Sequence, residues 1–409
     1  MNYRLVKITT FYPAFLDQYY HQFDPIVSRP YRDQYLHLMS QAFANSDFYS
    51  THLKELGVDA HEIISNADPL QQAWAFEHGI ADSGKKLLIA QLKAIRPEII
   101  FFQDALSHNG LFVESVRKEV PGVRGIIGWC CAPHTEEHLQ AFRAFDLILS
   151  CSPGLVTKFR QKGLNARLLN HAFENSLLPR ILKDNEYPEE DIFFAGSLYD
   201  GQDYHFARKK ILYDLKRCGV KIRLHANLSK DSGRYWRLIA KQPFYNACWL
   251  LKKAGLGRWV ARLPINQQAL QWKWLPERDQ YVKALRDCIQ KPLFGIEMLR
   301  ALSKCKIGFN CHIDATGEYA GNVRLFEITG VGACLLTDWK VNIHELFEPD
   351  LEIVTYTSAD DLAEKVRWLM DHPNERKAIA ARGQQRTIRD HSFAKRAVQL
   401  DEIIRADLL

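Results

Sequence analysis

Short apolar runs alternate with segments of helical periodicity through the first half of the chain. Strands are predicted where mainly apolar residues follow one another, in Arg4–Thr9, Glu98–Phe102, Gly125–Trp129 and Leu147–Cys151. Apolar residues recur at helical spacing in Leu111–Val120, in Thr135–Phe145 and in a long run over Tyr31–Leu56 that Gly57 closes. Strands that alternate with helices predict an α/β fold with a parallel, doubly wound sheet.

The same alternation returns in the second half. Asp191–Leu198 and Lys221–His225 predict two further strands, and Ile307–Asn310 predicts a buried one. A loop rich in Gly, Asp and Thr follows. A helix is then predicted from Asn322 to Gly332, and a new strand starts at Ala333. A second Rossmann-like domain is therefore expected.

A polar segment over residues 174–190 separates the two halves. We interpret it as a linker between an N-terminal domain, residues 1–173, and a C-terminal domain, residues 191–390. A chain of 409 residues suits two domains of ordinary size.

The loop that leads into the helix at Asn322 is a candidate anion site. Backbone N–H groups and the positive end of the helix dipole suit a phosphate or pyrophosphate. Arg324 could add a bidentate charge to the same anion, and Glu327 could accept ribose hydroxyls. Asn322 suits an N-cap or a sugar contact. The alternative is an ordinary β-α-β unit with a capped helix and an Arg324–Glu327 ion pair, and spacing alone leaves both interpretations open.

Polar residues also follow the predicted strands of the first sheet, at the carboxyl ends where doubly wound sheets bind ligands. They are Asp104, His108, His134 and His171. Each could be the general base that takes a proton from an acceptor hydroxyl. Each could equally cap a helix or pack against its neighbours. As a group, they mark the predicted acceptor side.

The segment Ala320–Thr337, with the sequence AGNVRLFEITGVGACLLT, carries glycines around Arg324 and Glu327. It resembles the C-terminal signature of group-1 glycosyltransferases of the GT-B fold, in particular the branch that includes the CgeB-like spore-maturation proteins. The resemblance continues at intervals over residues 338–391. It implies two Rossmann-like doubly wound domains with the active site between them, and a C-terminal helix, residues 391–409, that crosses back to the N-terminal domain.

The resemblance also implies a nucleotide-sugar donor on the C-terminal domain. Glu327 would bind the ribose, while Arg324 and the loop Gly317–Asn322 would hold the diphosphate. The further expected donor contacts are Asn322, Gly321, Glu318, Tyr319 and Thr329, together with Gly196 and Ser197 in a predicted strand and glycine turn, and Arg208 in the next helix. For Arg208, a solvated basic helix face is the alternative. Tyr319, beside Glu318, stands where the family pattern has an earlier glutamate, so this chain departs from the pattern at that sugar contact.

The predicted function is transfer of a sugar from a nucleotide-sugar to a glycan, lipid-linked or protein acceptor, without a metal ion or other cofactor. A sugar-nucleotide epimerase or phosphorylase of the same fold is one alternative, and a non-catalytic nucleotide-sugar-binding module is another.

Composition narrows the class of protein. Hydrophobic residues make up 47% and charged residues 25%, as in soluble globular proteins, and no apolar run reaches membrane-spanning length. The N-terminus is too short and polar for a signal peptide. Nine scattered cysteines without a C-x-x-C pair favour reduced thiols in the cytoplasm, and no structural metal is expected.

The segment over residues 230–286 is unusually basic. Twelve Lys and Arg residues stand against three acidic ones, a net charge of +9, and five of the nine tryptophans lie there. This composition is typical of a segment on an anionic membrane surface, so a peripheral position at the inner face of the membrane is one interpretation. A helical insertion over residues 230–291 that packs on its own domain, or an oligomer contact, is the alternative. No nucleic-acid motif accompanies the charge, so no nucleic-acid partner is expected.

Overall fold

The computed structural model describes residues 2–198, 206–228, 243–244, 246–256, 280–312 and 317–409. Contacts divide the chain into a larger unit, Met1–Phe193 with Leu293–Leu409, and a smaller unit, Phe194–Pro292.

The first sheet belongs to the larger unit and has six parallel strands in the order β2-β1-β3-β4-β5-β6. The strands are β1 (Arg4–Thr9), β2 (Asp59–Ile64), β3 (Ile99–Phe102), β4 (Gly125–Trp129), β5 (Leu147–Ser150) and β6 (Ala166–Leu168). The helices are α1 (Pro13–Gln22), α2 (Tyr31–Ser40), α3 (Phe48–Glu55), α4 (Asp68–Glu77), α5 (Gly84–Ile95), α6 (Gly110–Glu119), α7 (Glu136–Ala141) and α8 (Pro153–Gln161). Short 3₁₀ turns lie at Asp24–Ser28, Ala105–Ser107 and Phe142–Ala144.

Side chains of the first sheet enter two separate cores because successive strand residues point to opposite faces. In β3, Ile100 and Phe102 lie in one core with helices α5, α6 and α8. Ile99 and Phe101 lie in the other, with α3 and the C-terminal helix of the chain. Apolar burial on both faces explains why these strands are nearly continuous hydrophobic runs.

The second sheet is also parallel. Its part in the larger unit runs β12-β11-β10-β7. The strands are β7 (Glu190–Leu198, which continues past Phe193), β10 (Cys305–Asn310), β11 (Cys334–Asp338) and β12 (Val354–Tyr356). The helices of this part of the chain are α9 (Leu178–Leu182), α12 (Gly295–Leu302), α13 (Arg324–Gly330), α14 (Ile343–Leu346), α15 (Ala359–Asp371), α16 (Pro373–Asp390) and α17 (Phe393–Asp407). Ile307 of β10 pairs with Ile192 on one side and Cys334 on the other. The predicted α/β class with two parallel, doubly wound sheets is confirmed.

The chain passes between the two sheets of the larger unit at two adjacent points. The N–H of Phe173 donates to the His391 carbonyl at 2.9 Å, and the N–H of Phe393 donates to the Phe173 carbonyl at 3.1 Å. Helix α17 then packs on the first sheet, where the Tyr3 hydroxyl donates to Asp401 at 2.8 Å. Within residues 174–190, the structure has a 3₁₀ turn (Asn175–Leu177) and helix α9.

The smaller unit contains the end of β7, α10 (Phe206–Arg217), β8 (Ile222–Leu228), β9 (Ile289–Gln290) and α11 (Gln280–Leu285), with a 3₁₀ turn at Arg286–Cys288. Strands β8 and β9 pair in parallel, with Leu224 opposite Ile289. Of the predicted insertion over residues 230–291, residues 246–253 and α11 are helical, and most of the rest lies outside the described residues.

The prediction of one long helix over Tyr31–Leu56 is wrong. Helix α2 ends at Ser40 and α3 begins at Phe48, and Ser46 between them has a positive φ of 39°. The intervening backbone is engaged elsewhere: the Ser46 carbonyl accepts a hydrogen bond from Lys7 Nζ at 2.9 Å, and the Gln41 carbonyl accepts one from the N–H of Ile296 at 2.8 Å. Periodicity alone does not reveal such long-range partners.

Candidate active site

The loop Gly317–Asn322 is held by the segment that follows β11. The N–H of Ala320 donates to Asn342 Oδ1 at 2.7 Å, and Asn342 Nδ2 donates back to the Ala320 carbonyl at 3.1 Å. Lys340 Nζ donates to the Gly317 carbonyl at 2.9 Å. The exposed Glu318 accepts, through its carbonyl, the N–H of Val341 at 3.0 Å. These bonds fix the loop at the carboxyl edge of the second sheet.

The same loop packs against the end of β5 in the first sheet. A β-carbon built on Gly321 would lie 2.3 Å from the carbonyl oxygen of Cys151. A β-carbon on Gly154 would lie 2.6 Å from the ring of Tyr319. Glycine at position 321 therefore lets the two backbones approach, and glycine at position 154 leaves room for the Tyr319 ring. The candidate donor loop thus lies beside the predicted acceptor side.

Arg324 and Glu327 form the ion pair that the sequence left open as an alternative. Arg324 Nη1 lies 2.6 Å from Glu327 Oε2, and the two side chains are 20% and 15% exposed. Arg324 also contacts the sulfur of Met298. Both charges sit at the start of α13, next to the loop. A bound anion or ribose would therefore have to share or replace this pairing.

The predicted helix from Asn322 to Gly332 is shorter, because α13 has seven residues from Arg324 to Gly330. Its N-cap is Val323, which has no side-chain capping bond. Asn322 is therefore not the N-cap. Its Nδ2 donates to Asn310 Oδ1 at 2.7 Å, while its Oδ1 is buried without a partner among the described residues.

A polar network that sequence reasoning missed continues from Asn310 along the strand ends. Asn310 Nδ2 donates to the Thr337 hydroxyl at 2.9 Å, and His312 Nδ1 lies 2.7 Å from Asp338 Oδ1. Burial opposes ionisation of Asp338, but the hydrogen bond from His312 prevails and lowers the pKa of Asp338 to about 2. His312 Nε2 is buried without a partner among the described residues. Its position two residues after β10 was the available sequence signal.

Thr329 does not lie at the loop. It is 1% exposed, its hydroxyl donates to the Leu325 carbonyl at 2.7 Å, and it contacts the Thr387 hydroxyl at 2.6 Å. Its hydrogen-bonding capacity is thus engaged in packing α13 against α16. We therefore assign Thr329 to helix packing and not to donor contact.

Asp104 and His108 follow β3 but differ in accessibility. The half-buried Asp104 accepts a hydrogen bond from the Thr10 hydroxyl at 2.8 Å and another from the Ser107 hydroxyl. His108 is 8% exposed and its ring lies 4.7 Å from that of Phe102. Burial lowers the pKa of His108 to about 4, so its imidazole is neutral near pH 7.

His134 is half-buried near the start of α7. Its Nδ1 lies 3.2 Å from the Ala132 carbonyl oxygen, which can only accept, so Nδ1 carries the proton. Nε2 is then the unprotonated nitrogen, and it is buried without a partner among the described residues. Burial lowers the pKa of His134, which keeps the ring neutral. A neutral imidazole has the protonation state that a general base requires.

His171 lies beside two cysteines, a juxtaposition that the sequence did not predict. Its imidazole, Cys131 Sγ and Cys151 Sγ all lie within 4.8 Å of one another. Burial opposes ionisation of the Cys131 thiol, but hydrogen bonds from Cys151 and His171 hold its pKa well below the usual value. The three residues are 20 positions apart in sequence, so no local motif reveals them.

Three predicted donor residues lie in the smaller unit. Gly196 and Ser197 are part of β7 and not of a glycine turn. Arg208 Nη1 donates to the Ser197 carbonyl at 3.4 Å, and its guanidinium lies 5.7 Å from the centre of the Phe194 ring. A β-carbon on Gly196 would lie 2.8 Å from that ring, so this glycine permits the packing of Phe194.

In the part of the chain that the structure describes, no helix combines the length and the apolar composition that crossing a membrane requires.

Sequence comparison identifies a family for part of the chain. Residues 250–402, which include Arg324 and Glu327, match the model of a family described as "Glycosyl transferase-like". No curated protein matches the chain.

Solved structures resemble the chain over nearly its whole length. Alr3699/HepE from Anabaena, in complex with UDP-glucose, is 12% identical, with a TM-score of 0.55 over 99% of this chain and 100% of that one. A glycosyltransferase from Rickettsia africae is 9% identical, with a TM-score of 0.57 over 100% and 99% of the two chains. Sucrose-phosphate synthase from Thermosynechococcus elongatus is 13% identical, with a TM-score of 0.52 over 99% of each chain.

These likenesses confirm the GT-B fold.

Proposed function

We propose that this protein is a nucleotide-sugar glycosyltransferase that moves a hexosyl group to a glycan, lipid-linked or protein acceptor in polysaccharide biosynthesis, without a divalent metal. The observation that carries the proposal is the Arg324–Glu327 pair next to the loop Gly317–Asn322, inside the segment that matches the glycosyltransferase-like family. The same segment carries the resemblance to the CgeB-like branch.

In this proposal, the donor separates the ion pair. Glu327 accepts the two ribose hydroxyls, and the released Arg324 guanidinium binds the diphosphate through two parallel hydrogen bonds. Transfer breaks the bond between the anomeric carbon and a β-phosphate oxygen as the acceptor oxygen bonds to that carbon, and Arg324 stabilises the negative charge left on the β-phosphate. Because Alr3699/HepE has been solved with UDP and UDP-glucose, UDP-sugars are the first donors to test.

On the acceptor side, we propose His134 as the general base. Its unpartnered Nε2 can accept the proton of an acceptor hydroxyl, and its lowered pKa keeps it neutral. Asp104, which accepts two hydroxyl hydrogen bonds, suits a sugar contact better than a base. His108 is enclosed by aromatic rings and we assign it to packing.

We further propose that the enzyme works in the cytoplasm, where nucleotide-sugars are made, with the basic segment 230–286 contacting an anionic membrane surface. The net charge of +9 and the five tryptophans support this proposal. Co-sedimentation with anionic vesicles should be lost when the lysines and arginines of the segment are neutralised. Unchanged co-sedimentation would exclude the membrane role.

The test of the donor site is thermal-shift titration with UDP, GDP, ADP, CMP and dTDP and their sugars. A ligand that binds the folded state alone raises the melting temperature by mass action. We expect one nucleotide to give a shift that Glu327→Gln loses and that Glu345→Gln, an exposed glutamate on the nearby helix α14, retains. No shift with any nucleotide would contradict the donor site.

Assays of product formation distinguish the proposed transferase from the alternative functions. Product formation that requires an acceptor supports a transferase, whereas conversion of the sugar-nucleotide alone would indicate an epimerase. Dependence on inorganic phosphate would indicate a phosphorylase, and tight binding without turnover a binding module.

A further inference from the structure

Metal-ligating side chains from three neighbouring strand ends converge in the first sheet. Cys131 lies two residues after β4, Cys151 directly follows β5, and His171 lies three residues after β6. Their sulfur and imidazole nitrogen atoms all lie within 4.8 Å of one another, and among the described residues no other trio of His, Cys or carboxylate groups does so. Because β4, β5 and β6 are adjacent and parallel, the sheet itself brings these positions together.

We propose that Cys131, Cys151 and His171 bind a soft divalent metal ion, with Zn²⁺ as the first candidate. Zn²⁺ binds thiolate sulfur at about 2.3 Å and imidazole nitrogen at about 2.0 Å, so two sulfurs of one tetrahedral site lie roughly 3.8 Å apart. In the structure the three ligand atoms lie within 4.8 Å of one another, so metal binding would draw the side chains closer together. Three protein ligands leave a fourth position for water or another ligand.

Hydrogen bonds and a ring contact from neighbouring residues hold the three candidate ligands in place. The N–H of Cys151 donates to Cys131 Sγ at 2.7 Å, and the Ser150 hydroxyl lies 3.6 Å from the same sulfur. The His171 ring lies 5.2 Å from that of Trp129, and Arg396 Nε donates to the His171 carbonyl at 3.3 Å. Hydrogen bonds to a ligand sulfur and contacts that fix a ligand ring strengthen metal binding.

The ligands of this site differ from those of a metal ion bound to a nucleotide diphosphate. Two thiolates and one imidazole suit Zn²⁺, whereas Mg²⁺ and Mn²⁺ prefer oxygen ligands such as those of a nucleotide diphosphate. The site nevertheless borders the candidate donor loop, because the Cys151 carbonyl contacts Gly321. Zinc binding would fix the end of β5 against this loop. The inference does not rest on the proposed function.

The experiment uses the full chain, purified with a phosphine reductant and dialysed against Zn²⁺, followed by measurement of bound zinc. We expect one Zn²⁺ per chain. Its affinity should fall by at least about tenfold in Cys131→Ser and in His171→Asn. Cys288→Ser, which changes a thiol on the 3₁₀ turn of the smaller unit, should bind as the unaltered protein does. Circular dichroism checks that each variant is folded.

Two readouts test the ligands without any variant. Co²⁺ in place of Zn²⁺ should give thiolate-to-metal charge-transfer bands and the visible bands of a tetrahedral site. Zn²⁺ should also protect two thiols from oxidised glutathione. The proposal is overturned if the protein retains no Zn²⁺, if Cys131→Ser binds it equally well, or if both thiols are oxidised at the same rate with and without Zn²⁺.

Discussion

Gly321 lies against Cys151 so closely that a β-carbon at position 321 would come within 2.3 Å of the Cys151 carbonyl oxygen. This contact joins the candidate donor loop to the end of β5, so the geometry of the candidate site depends on the absence of one side chain. Because a side chain at position 321 would clash with a backbone carbonyl oxygen, no change of rotamer could relieve the clash.

Gly321→Ala should therefore displace the loop. We expect a loss of about 1–3 kcal/mol in the free energy of unfolding, as in other overpacked sites, and weaker nucleotide binding. Gly110→Ala is the matched control, because its β-carbon would have its nearest neighbour at 3.4 Å, an ordinary contact. Urea denaturation and thermal-shift titration measure the two effects. Equal behaviour of the two variants would show that the close approach is not required.

Thr329→Val should affect stability and leave nucleotide binding unchanged. The substitution removes a hydroxyl that donates to the Leu325 carbonyl and leaves the buried Thr387 hydroxyl without this partner. We expect a loss of about 1–2 kcal/mol in the free energy of unfolding. Glu327→Gln should do the reverse, with nearly unchanged stability and lost binding. A loss of binding in Thr329→Val that exceeds its loss of stability would restore Thr329 to the donor site.

Lys7 and Glu62 form an ion pair in the interior of the first sheet. Lys7 Nζ lies 3.0 Å from Glu62 Oε2, with the side chains 1% and 0% exposed. Lys7→Met leaves a buried carboxylate without its counter-charge, and we expect a loss of about 3–5 kcal/mol. Lys7→Met combined with Glu62→Gln should recover part of that loss in urea denaturation. Additive effects of the two single substitutions would mean that the pair is not coupled.

The pH dependence of the Lys7→Met variant provides a second test of this pair. Burial raises the pKa of Glu62 to about 7 even with Lys7 present. A carboxyl whose folded pKa is raised gives stability that is fully present below its unfolded pKa, near 4.5, and is lost as the pH rises through the folded value. Because removing Lys7 raises the folded pKa further, the variant should go on losing stability above pH 7, where the profile of the unaltered protein levels off. Parallel pH profiles would contradict this expectation.

The larger unit should lose stability in alkaline solution, because His52 then loses the proton that stabilises its pair with Glu174. His52 Nε2 lies 2.9 Å from Glu174 Oε2, and the hydrogen bond that it donates to Glu174 raises the pKa of His52 to about 9. The stability from this pair is fully present below pH 6.5 and is lost as the pH rises through about 9. The loss should be on the order of 1 kcal/mol, because solvent screens a partly exposed pair.

The measurement compares denaturation midpoints below pH 6.5 and above pH 9 for the unaltered protein, His52→Gln and His344→Gln. The exposed His344 lies on α14 and serves as control. His52→Gln should flatten the profile, and His344→Gln should leave it unchanged. The same slope in all three proteins would mean that His52 does not carry the effect.

Local patterns in the sequence were enough to predict the fold class and the position of the candidate donor segment. Buried parallel strands must be apolar on both faces, so runs such as Glu98–Phe102 are visible as strands without any tertiary information. Arg324 and Glu327 are also local: their spacing of three residues places them on one helix face, which is why the ion pair could be foreseen as an alternative.

Features that depend on contacts between residues far apart in the chain became visible only in the folded structure. The break between α2 and α3 follows from bonds to Lys7 and Ile296, and the burial of Thr329 follows from its contact with Thr387. The grouping of Cys131, Cys151 and His171 arises because parallel strands bring their carboxyl ends to one edge, whatever their separation in sequence. Such pairings leave no periodic signal, since each partner satisfies its own local pattern and the contact exists only after the sheets have formed.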